Sequence, residues 1–151
     1  MTKPHCILQV EDDENDLFLL EHAFRTVGIA NPLQVARDGQ EALEYLAGTG
    51  QYADRKRFPL PCLIILDLKM PRKGGLEVLE WLRQKASVSH VPVIVFSSSA
   101  QPEDIDRAYQ LGANSFVVKP ASTEKRTQFA ELVKGYWLQF NEPPTVCAEK
   151  C

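Results

Sequence analysis

Short apolar runs of strand length recur along this chain, and each is followed by a stretch whose apolar residues repeat at helical spacing. The runs occupy residues 6–10, 33–36, 62–66, 93–96 and 115–118. After the first of them, Leu17, Leu20, Phe24 and Val27 fall on one helical face. Strands that alternate with helices in this way are the signature of βαβ units and a parallel sheet. The pattern predicts a (βα)5 α/β fold.

Local signals mark where the elements begin and end. Asp38-Gly39 makes a turn, with Asp38 placed to cap a helix that carries Ala42, Tyr45 and Leu46. Residues 48–61 form a long connection rich in charge, glycine and proline, open to reading as a solvated loop or as a partner-contact surface. Gly74-Gly75 precedes a helix in which Leu76, Leu79 and Leu82 recur, with Val78 and Trp81 alongside. Pro92 opens the fourth strand. Pro102 opens the next helix, where its missing N–H costs nothing, and that helix ends near Gly112. A last helix over 122–138 presents Phe129, Leu132, Val133, Tyr136 and Trp137 as a wide apolar stripe. Residues 1–140 are expected to form one domain, and 141–151 a short disordered tail.

Composition narrows the function classes. A chain of 151 residues buries about two thirds of its unfolded surface as one domain. With 44% hydrophobic and 25% charged residues it reads as a soluble globular protein. A net charge of −3 without a basic stripe gives no reason to expect nucleic acid as a partner. No apolar run approaches the ~20 residues needed to span a bilayer, and the N-terminus lacks a signal-peptide hydrophobic region. No membrane association and a cytoplasmic location are therefore expected. Cys6 and Cys62 lie in or beside apolar strands as small hydrophobes, Cys147 and Cys151 lie in the tail, and no metal-binding spacing joins them.

Four polar clusters follow four of the strands: Glu11-Asp12, Asp67, Ser97 and Lys119-Pro120. In a parallel sheet they emerge together at the edge where strands end, which is where open α/β sheets bind ligands. Alone, each has a bland reading as a solvated turn, a helix cap or a surface loop. Asp67 is harder to dismiss, because a carboxylate that ends so apolar a run needs compensation if buried.

The four segments, Ile7-Leu8-Gln9-Val10-Glu11-Asp12-Asp13, Leu63-Ile64-Ile65-Leu66-Asp67-Leu68-Lys69-Met70-Pro71, Pro92-Val93-Ile94-Val95-Phe96-Ser97-Ser98 and Gly112-Ala113-Asn114-Ser115-Phe116-Val117-Val118-Lys119-Pro120, resemble in order and spacing the receiver domain of two-component response regulators. The resemblance implies a flavodoxin-like three-layer sandwich with a five-stranded parallel sheet in the order 2-1-3-4-5. It implies that Asp67 accepts a phosphoryl group from a cognate histidine kinase. Asp12 and Asp67 would then ligate Mg2+ directly, Glu11 largely through water, and the backbone carbonyl of Lys69 would add another oxygen. Lys119 would pair with a phosphoryl oxygen, and the Ser97 hydroxyl would donate to another. Ser97 and Phe116 match the family's switch pair, although Phe116 also reads as an ordinary strand aromatic.

The chemistry suits these residue types. A carboxylate can attack phosphorus to give an acyl phosphate, but an anion must then approach an anion. A hard divalent cation held by oxygens relieves that repulsion, and positive charge on the equatorial oxygens is the main help a protein can give. The same resemblance extends to single-domain regulators that partner phytochrome-type histidine kinases. In such proteins the output is a protein contact, self-association or onward phosphotransfer. The downstream target is not specified, and Trp137 and Phe140 would extend a homodimer interface or pack in the core. An alternative is a pseudo-receiver, a scaffold not switched by phosphate. An enzyme reading is weak, since no Gly-x-Ser-x-Gly elbow or glycine-rich nucleotide loop is present. Three departures stand out: Gly74 in place of an acid, which loosens the loop after Asp67; Lys69, whose side chain is expected at the pocket rim; and Ser99, expected to tune water access.

Overall fold

The computed structural model describes residues 5–144. Five strands, β1 (Ile7–Val10), β2 (Leu33–Ala36), β3 (Leu63–Leu66), β4 (Val93–Ser97) and β5 (Ser115–Val118), alternate with five helices. These are α1 (Glu14–Thr26), α2 (Gly39–Ala47), α3 (Gly75–Gln84), α4 (Pro102–Gln110) and α5 (Thr123–Leu132). The strands form one parallel sheet in the order β2-β1-β3-β4-β5. The flavodoxin-like architecture is as the sequence predicts. The three central strands are fully buried, and apolar but for Gln9 and Ser97, because helices cover both faces.

Two apolar layers flank the sheet. Leu8, Val10, Ile64, Leu66, Val93 and Val95 pack with α2, α3 and α4. Ile7, Leu63, Ile65, Ile94 and Phe96 turn the other way, toward α1 and α5. The alternation follows from the two-residue period of a strand. The helix starts are as legible in structure as in sequence. Asp13, Asp38 and Ser122 each accept a backbone N–H of the first turn that follows, and Pro102 opens α4.

The 48–61 connection departs from the solvated reading. Tyr52 and Leu60 are buried, and Phe58 packs against Tyr45 and Tyr52 edge-on. The Arg55 guanidinium donates to the carbonyls of Tyr45, Leu46 and Phe58, which ties the segment to the open end of α2. A helix end without a side-chain partner needs such a donor, and Arg55 folds the loop back to supply it.

The C-terminal helix also differs from expectation. α5 gives way at Val133 to a π-helical segment, Val133–Phe140. Phe129, Val133 and Trp137 face the core, whereas Leu132, Tyr136 and Phe140 form a row exposed at 69%, 54% and 79%. The predicted single stripe is therefore two rows, one buried and one facing solvent. Of the two residues read as either dimer interface or core, Trp137 packs inward and Phe140 lies outside. Lys134 reaches across to donate to the Val27 carbonyl at 2.8 Å, capping the end of α1. Residues 141–144 follow without helix, and the rest of the tail, with Cys147 and Cys151, lies outside the described residues. No helix among the described residues is long and apolar enough to cross a membrane.

Candidate functional site

A loop leaves the carboxyl end of each strand, and the sheet's own hydrogen bonds extend into three of them. Glu11 N–H donates to the Ala36 carbonyl at 2.9 Å, Asp67 N–H to Val10 at 3.0 Å and Lys119 N–H to Ser97 at 2.8 Å. The backbone of each polar residue is thus fixed by the strand beside it. Ser97 is the last residue of β4 and is fully buried.

Lys119 organises the charges. Its ammonium donates to Glu11 Oε1 at 2.6 Å and to Asp16 Oδ2 at 2.8 Å, and lies 3.7 Å from Asp67 Oδ1. Glu11 and Asp67 are buried, and Asp12 is exposed. Oxygens of Glu11, Asp12 and Asp67 all lie within 4.8 Å of one another. Three carboxylates therefore share one ammonium, and a fourth, Asp12, stands beside two of them.

The protonation equilibria register the excess. Burial raises the Glu11 carboxyl from 4.5 to about 7, against the hydrogen bond from Lys119, and Asp67 adds to the rise. Burial likewise pushes the Asp67 carboxyl above its ordinary value, with Lys119 opposing. For Lys119, burial alone would lower the pKa, but the bonds to Asp16 and Glu11 outweigh it and raise it. A hard cation fits this all-oxygen donor set, because it would replace the protons that burial now favours.

A pH dependence follows for the metal-free chain. The folded state holds a proton on Glu11 up to about 7, where the unfolded chain releases it near 4.5. The stabilisation is complete below the lower value and is lost as pH rises through the upper one. In EDTA the urea midpoint should fall between pH 5 and pH 8, by on the order of 2 kcal/mol in stability. Glu11→Gln should flatten the profile, and a midpoint that climbs with pH would contradict the assignment.

The remaining expected residues take distinct places. The Ser97 hydroxyl oxygen accepts the Ser99 N–H at 3.2 Å, and Ser99 Oγ donates to Asp104 of α4 at 2.5 Å. Phe116 is half-buried on the α2–α4 side. Ser97 pairs in register with Val118, and Val95 pairs with Phe116. Phe116 therefore stands on the same sheet face as Ser97, one pleat away. The Lys69 side chain points outward, 71% exposed, with its ammonium 3.9 Å from Asp104. The Leu68 carbonyl accepts Gly75 N–H at 3.0 Å, whereas no hydrogen bond from the described residues takes the Lys69 carbonyl.

Gly75 is fixed by contact. A Cβ there would lie 2.1 Å from the Asp67 carbonyl oxygen. Gly75→Ala should cost about 2–3 kcal/mol in urea unfolding, since backbone must move to admit the methyl. A cost within error of zero would show that the loop yields freely.

Asp16 was not among the residues picked out from the sequence. Its signal was present: it stands in the first turn of α1, three residues after the capping Asp13. Only the fold brings it to Lys119.

A family model described as the response regulator receiver domain matches residues 7–131. The probable methanogenesis regulatory protein FilR2 of Methanothrix harundinacea is 35% identical over 144 residues, covering 93% of this chain and 88% of its own. Response regulator Rcp1 of Synechocystis sp. is 32% identical over 136 residues, 90% of each chain. Its Mn2+-bound crystal structure matches with a TM-score of 0.84 at 31% identity, over 93% of this chain and 99% of that one. The phosphorylated cyanobacterial phytochrome response regulator RcpA matches with a TM-score of 0.87 at 32% identity, over 94% of this chain and 99% of its own. By sequence over most of its length and by fold, the chain belongs to the receiver domain family of two-component response regulators.

Proposed function

We propose that this receiver is a phosphorylation switch in which Asp67 accepts a phosphoryl group from a histidine kinase. The observation that carries the reading is the Lys119 ammonium, held among buried carboxylates 3.7 Å from Asp67. In the transfer, an Asp67 oxygen forms a bond to phosphorus while the P–N bond of the kinase phosphohistidine breaks, and the electron pair returns to the imidazole. Asp12, Asp67 and the Lys69 carbonyl would hold Mg2+, with Glu11 acting mainly through water. Bound there, the ion supplies positive charge to the phosphoryl oxygens. Rcp1, described in a Mn2+-bound form, supports a divalent site.

The chain's own groups do the rest. Lys119 turns from Asp16 toward a phosphoryl oxygen, and Ser97, which accepts from Ser99, keeps its proton to donate to another. Phe116, on the same sheet face, follows Ser97 and alters the surface of α4 and β5 by shifting an existing equilibrium. Similarity to RcpA and to the bacteriophytochrome response regulator RtBRR, 37% identical with a TM-score of 0.76, supports a phytochrome-type kinase as partner. The chain acts only on its own aspartate.

Intact mass before and after acetyl phosphate with Mg2+ tests the reading. Uptake of one phosphoryl group is expected. No uptake, together with no change in Trp fluorescence on adding beryllofluoride, would overturn it and leave a scaffold module.

A further inference from the structure

Asp38 serves two partners at once. Its carboxylate caps α2 by accepting Glu41 N–H at 2.8 Å. It also receives a forked pair of bonds from Arg72, Nε to Oδ2 at 2.9 Å and Nη2 to Oδ1 at 3.0 Å. Arg72 lies in the β3–α3 loop, which begins at Asp67. Among the described residues it is the only non-glycine with positive φ, 64°.

Such a backbone persists only where its surroundings impose it. The surroundings here are specific. A Cβ on Gly39 would sit 2.1 Å from the Lys73 carbonyl oxygen, so the loop presses directly on the first turn of α2. At the loop's far end, Gly74 occupies the cap position of α3 without a side-chain bond. Apart from the fork onto the α2 cap, the loop's other side-chain ion pair among the described residues is the longer Lys69–Asp104 contact at 3.9 Å. Arg72 is 58% exposed although Asp38 is only 15% exposed, so water around the guanidinium limits what the pair adds to stability. A strained residue that adds little stability yet grips a helix cap acts on the position of its loop.

We infer that Arg72 and Asp38 are positioning residues for the divalent-cation site, holding the β3–α3 loop so that Asp67 and the Lys69 carbonyl are aligned before the ion arrives. The inference rests on the metal reading of Asp12, Asp67 and Lys69. Its physical basis is that a loop ordered in advance does not lose its freedom on binding.

The test is Mn2+ binding by the full chain, followed by electron paramagnetic resonance, with no phosphodonor present. Arg72→Gly removes the fork and relieves the positive φ together. Asp38→Ser keeps a capping hydroxyl and removes the carboxylate. Each should raise the Mn2+ Kd by roughly tenfold, the low end for partners that orient metal ligands. The double variant should be no weaker than either single one. The melting temperature of Arg72→Gly should be unchanged or higher. If the wild type binds Mn2+ and the variants match it, the clasp is overturned and the metal reading stands. If the wild type binds no Mn2+, both fall.

Discussion

Asp67→Asn is expected to take up no phosphoryl group from acetyl phosphate and Mg2+, where the wild-type chain gains one. The amide keeps the shape of the carboxylate but has no anionic oxygen to attack phosphorus. Asp12→Asn should slow uptake and not abolish it, since the amide keeps an oxygen to offer Mg2+ while its negative charge is lost. The same substitution at 67 should make the metal-free fold more stable at neutral pH, by about 1 kcal/mol. Burial already disfavours the Asp67 anion, and its charge raises Glu11 in turn. Removing it relieves both groups while Lys119 retains Glu11 and Asp16. Mass spectrometry and urea denaturation of the two variants check the pair of effects. A variant that still gains the full phosphoryl mass would move the acceptor elsewhere.

At the opposite edge of the sheet, Arg83→Leu should cost about 3–5 kcal/mol of stability. The Arg83 guanidinium makes five hydrogen bonds there. It donates twice to the Gly112 carbonyl, at 3.0 and 2.7 Å, and to Ser89 and Val91, both at 2.8 Å. The fifth goes to Asn114 Oδ1 at 3.0 Å, an oxygen that also accepts Val93 N–H. Burial lowers its pKa, yet guanidinium remains charged at any ordinary pH. Leucine would leave part-buried carbonyls without their donor, each at a penalty of about 1–3 kcal/mol. Lysine should rescue little, because one ammonium lacks the planar fork. Chemical denaturation measures the loss. Phosphoryl uptake per folded molecule should persist, since the carbonyls that Arg83 clamps lie at the edge of the sheet opposite Asp67. A loss below 1 kcal/mol would mean that water replaces the clamp.

The contrast between the two edges explains what the sequence reveals. Strands and helices were legible because a strand buried on both faces is a short continuous apolar run, as Leu63–Leu66 is, and a helix buried on one face repeats with its turn, as α3 does. The acidic cluster was legible because its members sit directly after strands, so topology alone gathers them. Asp16 was not, since its partner lies 103 residues away and a first-turn acid is common in any helix. Arg55, Arg72 and Arg83 escaped notice for a related reason. Each bonds backbone oxygens or a cap through a long side chain, and nothing in local spacing marks such a reach. The π-helical segment had no signal either: the change in turn width redistributes apolar residues that an α-helical count places on one stripe.

The two lysines that grip α1 give that helix a mechanical character. Lys119 holds its first turn and Lys134 the Val27 carbonyl just past its end, and both come from the final third of the chain. α1 is thus a beam pinned at both ends. Whatever draws the Lys119 ammonium toward Asp67 withdraws one pin and leaves the other as a fulcrum. A charge arriving at the sheet edge would then have a second route to the surface, along α1 on the face turned away from Phe116.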